Sequence, residues 1–247
     1  MQSLLGGKRL RRLPLNISEA RLLGGLNFTA TAQAGRPVLE QGLLAECDGQ
    51  CLILSMAERA ERRVVAHIGQ ALDSGRVHLQ RVGFSRDLPA AVTVIAFNEG
   101  IDDEALADSL AERLAFQCHL DDCGLADTAA PIYTPAAILA AQQSFAAIIP
   151  SDTDLTSLAT AALALGVDSA RATRFAVITA RALAGLRGGQ HIEEQDLTWA
   201  VALTLAHRAT RLPQSADPET QTTPEQPEQE APAADTNTPN EADDAST

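Results

Sequence analysis

Gly49-Gln50-Cys51-Leu52-Ile53-Leu54 is a short apolar run behind a leading glycine, and this pattern predicts a buried β-strand. A second apolar run, Val92-Thr93-Val94-Ile95-Ala96-Phe97, predicts another buried strand. Between them, residues 61–73 repeat apolar side chains at helical spacing, and Gly75 marks the end of that helix. Because two buried strands separated by a helix are typical of a parallel sheet, the sequence predicts an α/β fold.

The segments around this unit complete its expected outline. Residues 1–20 are basic and predict an irregular start, residues 17–34 predict a helical stretch interrupted at Gly24-Gly25, and residues 76–88 predict a β-hairpin around Gly83. After Asp122 the pattern becomes helical. A small all-α domain is predicted from four segments, 134–149, 154–165, 169–186 and 194–212.

The end of the chain differs in composition from the rest. Residues 213–247 are rich in Pro, Glu, Gln, Thr and Asp, and they hold nine acidic residues and no basic one. Such a segment buries too little apolar surface to offset the chain entropy lost on folding, so we expect it to be disordered. The expected organisation is an α/β core over residues 1–125, a helical lid over 126–212 and a disordered, acidic, proline-rich linker over 213–247.

Composition limits the classes of function. The 247 residues are 45% hydrophobic, which is enough for a sizeable core, and the formal net charge is −13. This charge disfavours nucleic-acid binding, which needs basic surfaces. No stretch approaches the roughly 20 apolar residues of a membrane span, and no signal peptide is recognisable. We therefore expect a cytoplasmic protein without a membrane span.

Cysteine and histidine give little indication of a metal site. The four cysteines form no CxxC pair, but Cys118, His119 and Cys123 flank an acidic turn and leave a metal site open as an alternative to ordinary reduced thiols. The histidines lack the spacing of paired ligands, so neither a metal site nor a Ser/His/Asp set is nominated: His67, His78, His119, His191 and His207.

The order of strand, hairpin, strand and arginine, followed by a helical domain, resembles AAA+ ATPases of the magnesium chelatase and MoxR-like clade. Four segments within residues 14–212 carry a resemblance to magnesium chelatase: Leu23-Gly24-Gly25-Leu26-Asn27, Gly42-Leu43-Leu44-Ala45-Glu46, Leu72-Asp73-Ser74-Gly75, and Val82-Gly83-Phe84-Ser85 with Leu88-Pro89-Ala90. The resemblance implies a partial P-loop-type parallel sheet with a β-hairpin insertion, followed by an all-α lid.

That family contains an active ATPase component, the I-type protein, and a degenerate partner, the D-type protein. Three features resemble the D type. Ser55-Met56 stands where an active ATPase has the Walker B Asp-Glu pair, Phe97-Asn98-Glu99-Gly100 replaces the motif GNPEEG, and an acidic proline-rich segment follows the lid. The sequence has no GxxxxGK[ST] motif and no integrin-I-like domain, so we expect a shortened AAA+ module with its linker.

By resemblance, the chain is expected to be a non-catalytic platform of a complex that uses ATP and Mg²⁺ to insert Mg²⁺ into protoporphyrin IX, in chlorophyll or bacteriochlorophyll biosynthesis. The implied partners are the AAA+ ring of the I-type protein and the porphyrin-binding H-type protein, in a hetero-oligomeric ring. Whether the chain itself binds nucleotide stays open. The alternatives are a self-sufficient MoxR-like ATPase chaperone for metal-cofactor insertion and a truncated, non-functional product.

The degenerate Walker B region has three candidate residues. In an active AAA+ site the Asp supports Mg²⁺ and the Glu polarises the attacking water. Ser55 is a poor Mg²⁺ ligand, and Met56 cannot act as a base. Glu58 lies two residues further on, where it is either recruited in their place or faces solvent at the start of a helix.

Two arginines and an asparagine complete the candidates. Arg113 resembles the arginine finger donated in trans to a neighbour's γ-phosphate, which suits a permanently charged planar fork; the alternative is a salt bridge with Glu112 or Asp108. Arg171 resembles a sensor-2 arginine, which would normally reach the nucleotide of its own chain, with Arg174 as the alternative. Asn98 resembles a sensor-1 group, whereas an ungapped register favours Glu99, and a helix cap is a further alternative.

Overall fold

The structure is a computed structural model, and it describes residues 8–81, 84–101, 103–121, 123–124 and 132–211. These residues belong to one compact unit that spans residues 1–213. The predicted hairpin turn at Gly83, the predicted domain boundary at residues 125 and 126 and the predicted disordered segment lie outside the described residues.

The α/β part alternates short strands and helices. Its elements in chain order are β1 (Leu10–Leu13), α1 (Glu19–Leu23), β2 (Gly24–Leu26), α2 (Phe28–Ala34), β3 (Leu39–Gln41), α3 (Leu43–Glu46), β4 (Cys51–Leu54), α4 (Arg62–Ser74), β5 (Arg76–Arg81), β6 (Phe84–Pro89), β7 (Thr93–Ala96) and α5 (Asp108–Ala111). A 3₁₀ turn, Ala57–Arg59, follows β4. The helical part contains α6 (Pro135–Ser144), α7 (Asp152–Ala164), α8 (Ala170–Arg187) and α9 (Glu194–Thr204), and a second 3₁₀ turn, Ala206–Arg208.

The central sheet is parallel and has the order β1-β4-β7 among the described strands. Leu54 of β4 pairs with Leu13 on one side and with Ala96 on the other. Strand β4 is the most buried of the three, since it has a neighbour on each side. The predicted parallel α/β sheet is confirmed.

Strand β7 is less buried than the sequence predicts. Val94, Ile95 and Ala96 are only partly buried, and Thr93 is exposed. Among the described strands, β7 has β4 on one side and no strand on the other. An apolar run therefore identified the strand correctly but not its partial burial.

The prediction of an irregular start is wrong, because residues 10–13 form β1. This strand pairs in parallel with β4 along its whole length. Arg11 and Arg12 of β1 are exposed, and only Leu13 is fully buried. A strand at the edge of a sheet can carry charged side chains, which hides it from a search for apolar runs.

The helical stretch predicted around Gly24-Gly25 is two short helices on either side of a strand. The two glycines lie in β2, which pairs antiparallel with β3. A Cβ atom on Gly24 would lie 2.6 Å from the carbonyl oxygen of Glu40. This close approach of two backbones requires glycine and explains the interruption.

Helix α4 and the hairpin agree with the sequence prediction. Helix α4 buries Val64, Val65 and Ile68 and ends at Gly75, whose left-handed φ of 66° suits glycine. Strands β5 and β6 then pair antiparallel, with Arg76 opposite Pro89. The helix therefore ends where the hairpin insertion begins.

Helix α8 is the centre of the helical part. Its buried face repeats alanine every four residues at Ala172, Ala176, Ala180 and Ala184, and it packs against α6, α7 and α9. Helix α9 ends at Thr204, well before the predicted residue 212, because the chain turns back there: the N–H groups of Thr210 and Arg211 both donate to the carbonyl of Leu165. None of the helices in the described part of the chain has the length and apolar character that a membrane span needs.

Candidate functional site

The candidate residues lie in two places. The strand-end site comprises Ser55, Met56, Glu58 and Asn98, which follow the carboxyl ends of β4 and β7. The arginine cluster comprises Arg113 and Arg171 together with two carboxylates, Asp73 and Glu112.

Backbone hydrogen bonds connect the two chain segments of the strand-end site. The N–H of Phe97 donates to the carbonyl of Leu54, and the N–H of Ala57 donates to the carbonyl of Phe97, each at 2.8 Å. Met56 lies between these bonds with a φ of 49°, and it is the non-glycine residue with a positive φ in the described part of the chain. Such a backbone costs about 1–2 kcal/mol, which the two strand-end bonds offset.

Glu58 does not face solvent, so that alternative is wrong. Its side chain is 0% exposed. One carboxylate oxygen accepts a 3.2 Å hydrogen bond from the N–H of Glu99, and the other has no hydrogen-bond partner. The nearest cation, the Nε atom of Arg59, lies 3.6 Å from that second oxygen. Glu58 thus holds the loop that follows β7.

Asn98 lies in that loop and is exposed. Its side-chain oxygen accepts from the N–H of Gly100 at 3.2 Å. The helix-cap alternative is wrong, because residues 97–100 precede no helix turn and the bond closes a local loop instead. The backbone N–H of the neighbouring Glu99 donates to Glu58. Asn98 and Glu99 are both exposed, so either candidate for the sensor-1 position places a polar side chain at the end of β7.

The strand-end site does not fit an Mg²⁺-nucleotide. Ser55 and Met56 offer no carboxylate, and Glu58 has one oxygen engaged by a backbone N–H. The described residues contain no group of three His, Cys, Asp or Glu side chains that could hold a metal ion. Cys118 and Cys123 are exposed free thiols.

The arginine cluster brings together two residues that the sequence assigned to different roles. Arg113 donates to one carboxylate oxygen of Asp73 from Nε at 3.0 Å and from Nη2 at 2.6 Å. Arg171 donates to the other oxygen from Nη1 at 2.6 Å. The alternative partners of Arg113, Glu112 and Asp108, do not hold it in this structure, since its carboxylate partner is Asp73.

Helix α4 provides the surface on which Arg113 lies. A Cβ atom added to Gly69 would lie 3.2 Å from Nε and 3.4 Å from Cδ of Arg113. Gly69 precedes Asp73 by one helical turn, so the two residues lie on the same face of α4. The Arg113 side chain passes over α4 at Gly69, and its guanidinium group donates hydrogen bonds to the carboxylate of Asp73.

The electrostatics of the cluster follow from these bonds. The hydrogen bond from Arg113 holds the pKa of Asp73 below its ordinary value, and the same bond raises the pKa of Arg113. The Nε atom of Arg171 lies 3.5 Å from a carboxylate oxygen of Glu112 and makes no hydrogen bond. Arg174, the alternative sensor, is exposed on the next turn. The side chains of Asp73 and Arg171 are about one-third exposed.

Arg208 anchors the segment that carries Arg113. Its guanidinium group donates to backbone carbonyls of Leu114 and of Ala115, the latter at 3.3 Å, and to that of Thr204 at 2.7 Å. Burial lowers the pKa of Arg208. The end of the helical part is therefore fixed to the residues directly after Arg113.

Sequence reasoning missed Asp73, Gly69 and Arg208. Two of them carried a signal: Asp73 is an acid in the last turn of a helix, where the helix dipole disfavours it, and Gly69 is a glycine inside a helix. The contacts of Arg208 join residues more than 90 positions apart, so no local pattern could show them.

Comparisons with known proteins agree with the fold. Residues 155–230 match the AAA lid domain family. A putative ATPase from Cytophaga hutchinsonii superposes with a TM-score of 0.59 at 12% identity, and the match covers 84% of this chain and 72% of that one. At this identity the match shows the fold alone, and it confirms the predicted AAA+ architecture with its lid.

The sequence relatives include magnesium chelatase subunits. The chain is 34% identical to the 60 kDa subunits of Cereibacter sphaeroides and Rhodobacter capsulatus, over 85% of this chain and 35% and 34% of those proteins. It is 26% identical to the 38 kDa subunit of Rhodobacter capsulatus, over 81% of this chain and 64% of that protein. The chain spans about a third of the length of the 60 kDa relatives. These matches confirm the resemblance: the chain is a relative of the magnesium-chelatase 60 kDa subunits, with the fold and the helical lid of an AAA ATPase.

Proposed function

We propose that this chain is a non-catalytic AAA+ platform of a magnesium chelatase, of the D type, which couples ATP hydrolysis in a partner protein to insertion of Mg²⁺ into protoporphyrin IX. One observation carries the proposal. The chain keeps two clustered guanidinium groups, whereas Ser55 and Met56 replace the acids at its own strand-end site. The similarity to the 60 kDa subunits supports the pathway, which is (bacterio)chlorophyll biosynthesis.

The two arginines supply fixed positive charge to a phosphate group that a neighbouring protein in the ring holds. In this proposal Arg113 is the arginine finger in trans. Arg171, whose resemblance implies contact with its own chain's nucleotide, is assigned to the same phosphate group as Arg113 because both arginines bind Asp73. A guanidinium group suits both roles because it stays charged and binds oxygen atoms in a planar fork. Asn98 is the polar sensor at the end of β7, and Glu58 keeps a structural role in the same loop.

The partners follow from the proposal. The ATPase ring is that of the I-type protein, the porphyrin is held by the H-type protein, and the assembly is a cytoplasmic hetero-oligomeric ring. A self-sufficient MoxR-like ATPase is disfavoured, because Ser55 and Met56 leave the strand-end site without an acidic pair.

A reconstitution experiment tests the proposal. Purified I-type and H-type proteins are mixed with ATP, Mg²⁺ and protoporphyrin IX, with and without this chain, and magnesium protoporphyrin is followed by fluorescence. The chain is supplied as it is and also joined to the remaining part of a 60 kDa subunit. We expect co-elution with the I-type protein in both forms and faster insertion with the joined form. No co-elution and no change in insertion in either form would contradict the proposal.

A further inference from the structure

One carboxylate group binds both candidate arginines. Asp73 accepts two hydrogen bonds from Arg113 on one oxygen and one from Arg171 on the other, at 2.6–3.0 Å. Arg113 comes from the end of the α/β part, and Arg171 comes from the first turn of α8, 98 residues from Asp73 in sequence. Asp73 therefore joins the helical part to α4 through the two residues expected to bind phosphate.

Local helix preferences do not explain the residues of this contact. Asp73 places a negative charge in the last turn of α4, and Arg171 places a positive charge in the first turn of α8. The helix dipole disfavours both positions. Gly69 weakens the middle of α4, yet it leaves the space that the Arg113 side chain fills. Asp73, Arg171 and Gly69 are each unfavourable for their helix, and all three belong to this one contact. We therefore attribute the three residues to the contact itself.

The charges of the cluster balance while Asp73 is in place. Arg113 and Arg171 contribute two positive charges, and Asp73 and Glu112 contribute two negative ones. Without the Asp73 carboxylate, three N–H groups of the two guanidinium groups would lose their hydrogen-bond acceptor. The Nε–H of Arg171 already has no acceptor. Two converging guanidinium groups with free donors match the oxygen atoms of a phosphate group.

We propose that Asp73 is a displaceable counter-ion: it holds Arg113 and Arg171 on α4 in the absence of phosphate, and a phosphate group takes the place of its carboxylate. The exchange releases the first turn of α8 from α4 and turns a neutral cluster into an anion site. That the phosphate is the γ-phosphate of a neighbouring protein's nucleotide rests on the proposed function, whereas the exchange is a property of this chain alone. Asp73 thereby keeps the two arginines from binding stray phosphate before assembly.

Calorimetric titration of the full chain with inorganic triphosphate, at fixed ionic strength, tests the exchange. Asp73→Asn should bind triphosphate at least about tenfold more tightly than wild type, because two guanidinium groups then lack their carboxylate. The matched control is Asp87→Asn, which removes the same charge from an exposed carboxylate that is hydrogen-bonded to His78 on the hairpin. Equal affinities of the Asp73 and Asp87 variants would overturn the proposal.

Further variants separate the possible outcomes. Arg113→Ala in the Asp73→Asn background should remove the gain. If Asp73→Asn does not fold, Glu112→Gln carries the test, since its carboxylate is half exposed and lies 3.5 Å from Arg171; we expect a gain of about threefold, and no gain rejects the exchange. A gain in triphosphate binding together with full activity of an Arg113→Ala mixed complex would reject the finger role alone. No gain in triphosphate binding, together with reduced activity of an Arg113→Ala mixed complex, would reject the counter-ion role of Asp73 alone.

Discussion

The strand-end site and the arginine cluster hold their charged side chains in opposite ways. Glu58 is fully buried at the strand-end site, and one of its oxygens is bound to a backbone N–H. The side chain of Asp73 is about one-third exposed, and it pairs with the guanidinium groups of two arginines from distant parts of the chain. The first carboxylate stabilises a loop, whereas the second lies where another anion can reach its partners.

The proposed function assigns these two places to different halves of an AAA+ interface. Each member of such a ring contributes one set of residues to its own nucleotide and another set to its neighbour's. In the proposed function, Ser55 and Met56 have replaced residues of the first set, and Arg113 and Arg171, which Asp73 holds together, serve the second. The predictions below ask whether the two places differ in function as they do in structure.

The largest expected effect is that of Arg113→Ala on a mixed complex with the I-type and H-type proteins. Loss of an arginine finger costs as much as roughly 10³-fold in ATP hydrolysis, and less if the I-type ring supplies fingers of its own. Arg113→Lys should fail nearly as badly, because an ammonium group lacks the planar fork. Steady-state ATP hydrolysis by the complex is the measurement.

The matched control for that variant is Arg63→Ala. Arg63 is 72% exposed and pairs with Glu61 near the start of α4. It should leave hydrolysis within about twofold of wild type, because an exposed ion pair contributes only about 0–1 kcal/mol. Equal losses of ATP hydrolysis for the Arg63 and Arg113 variants would mean that the overall positive charge of the chain matters, and not the arginine cluster.

Gly69→Ala should separate stability from activity. Alanine in a helix interior is favoured over glycine by about 0.5–1 kcal/mol, so the melting temperature should stay equal or rise. The added Cβ would lie 3.2 Å from Nε of Arg113 and would push that side chain away. We expect about a tenfold loss of activity in the mixed complex, since small misplacements of a catalytic group are costly. Gln70→Ala, at an exposed position of the same helix, is the control and should change neither quantity.

Glu58→Ala should affect stability and leave activity intact. The change removes the acceptor of the Glu99 N–H, and because that exposed N–H can bind water instead, the cost is about 0.5–1.5 kcal/mol in the free energy of unfolding. Glu58→Gln can still accept that bond and should be close to wild type. Denaturant unfolding measures the effect, and the activity of the mixed complex should stay within about twofold. A large activity loss in the glutamine variant would mean that the strand-end site is catalytic after all.

The smallest expected effect concerns pH. Hydrogen bonds from Arg113 hold the pKa of Asp73 below its ordinary value of 3.8. Its carboxylate therefore stabilises the fold above pH 3.8, and this contribution is lost as the pH falls through the lowered pKa. Asp73→Asn should be less stable than wild type at pH 6, by no more than about 1 kcal/mol because the group is partly exposed, and the difference should vanish toward pH 2. A difference that is the same at both pH values would reject the ion pairs as its source.

The sequence predicted the parts of this fold whose signals are local. Strand β4, helix α4 and the four lid helices follow from apolar runs, helical spacing and glycine stops. Strand β1 was missed because Arg11 and Arg12 interrupt its apolar pattern. The partial burial of β7, which has one neighbouring strand among the described residues, was missed because an apolar run does not report how many neighbours a strand has.

The candidate site was predictable only in its residue types. Arg113 and Arg171 could be nominated from their segments, but their shared partner could not, because Asp73 is 40 residues from one and 98 from the other. The burial of Glu58 depends on a bond to Glu99, 41 residues away. Contacts over such separations follow from the packing of the sheet and the lid and leave no local pattern.

The central claim is that this chain contributes arginines to a neighbour and hydrolyses no nucleotide itself. The most direct test is steady-state ATP hydrolysis by the purified chain alone at saturating Mg²⁺ and ATP. We predict no turnover above background, because Ser55 is a poor Mg²⁺ ligand and Met56 cannot activate water. Turnover of about 1 s⁻¹ or more that Glu58→Gln abolishes would contradict the account, since it would show a working catalytic site at the end of β4.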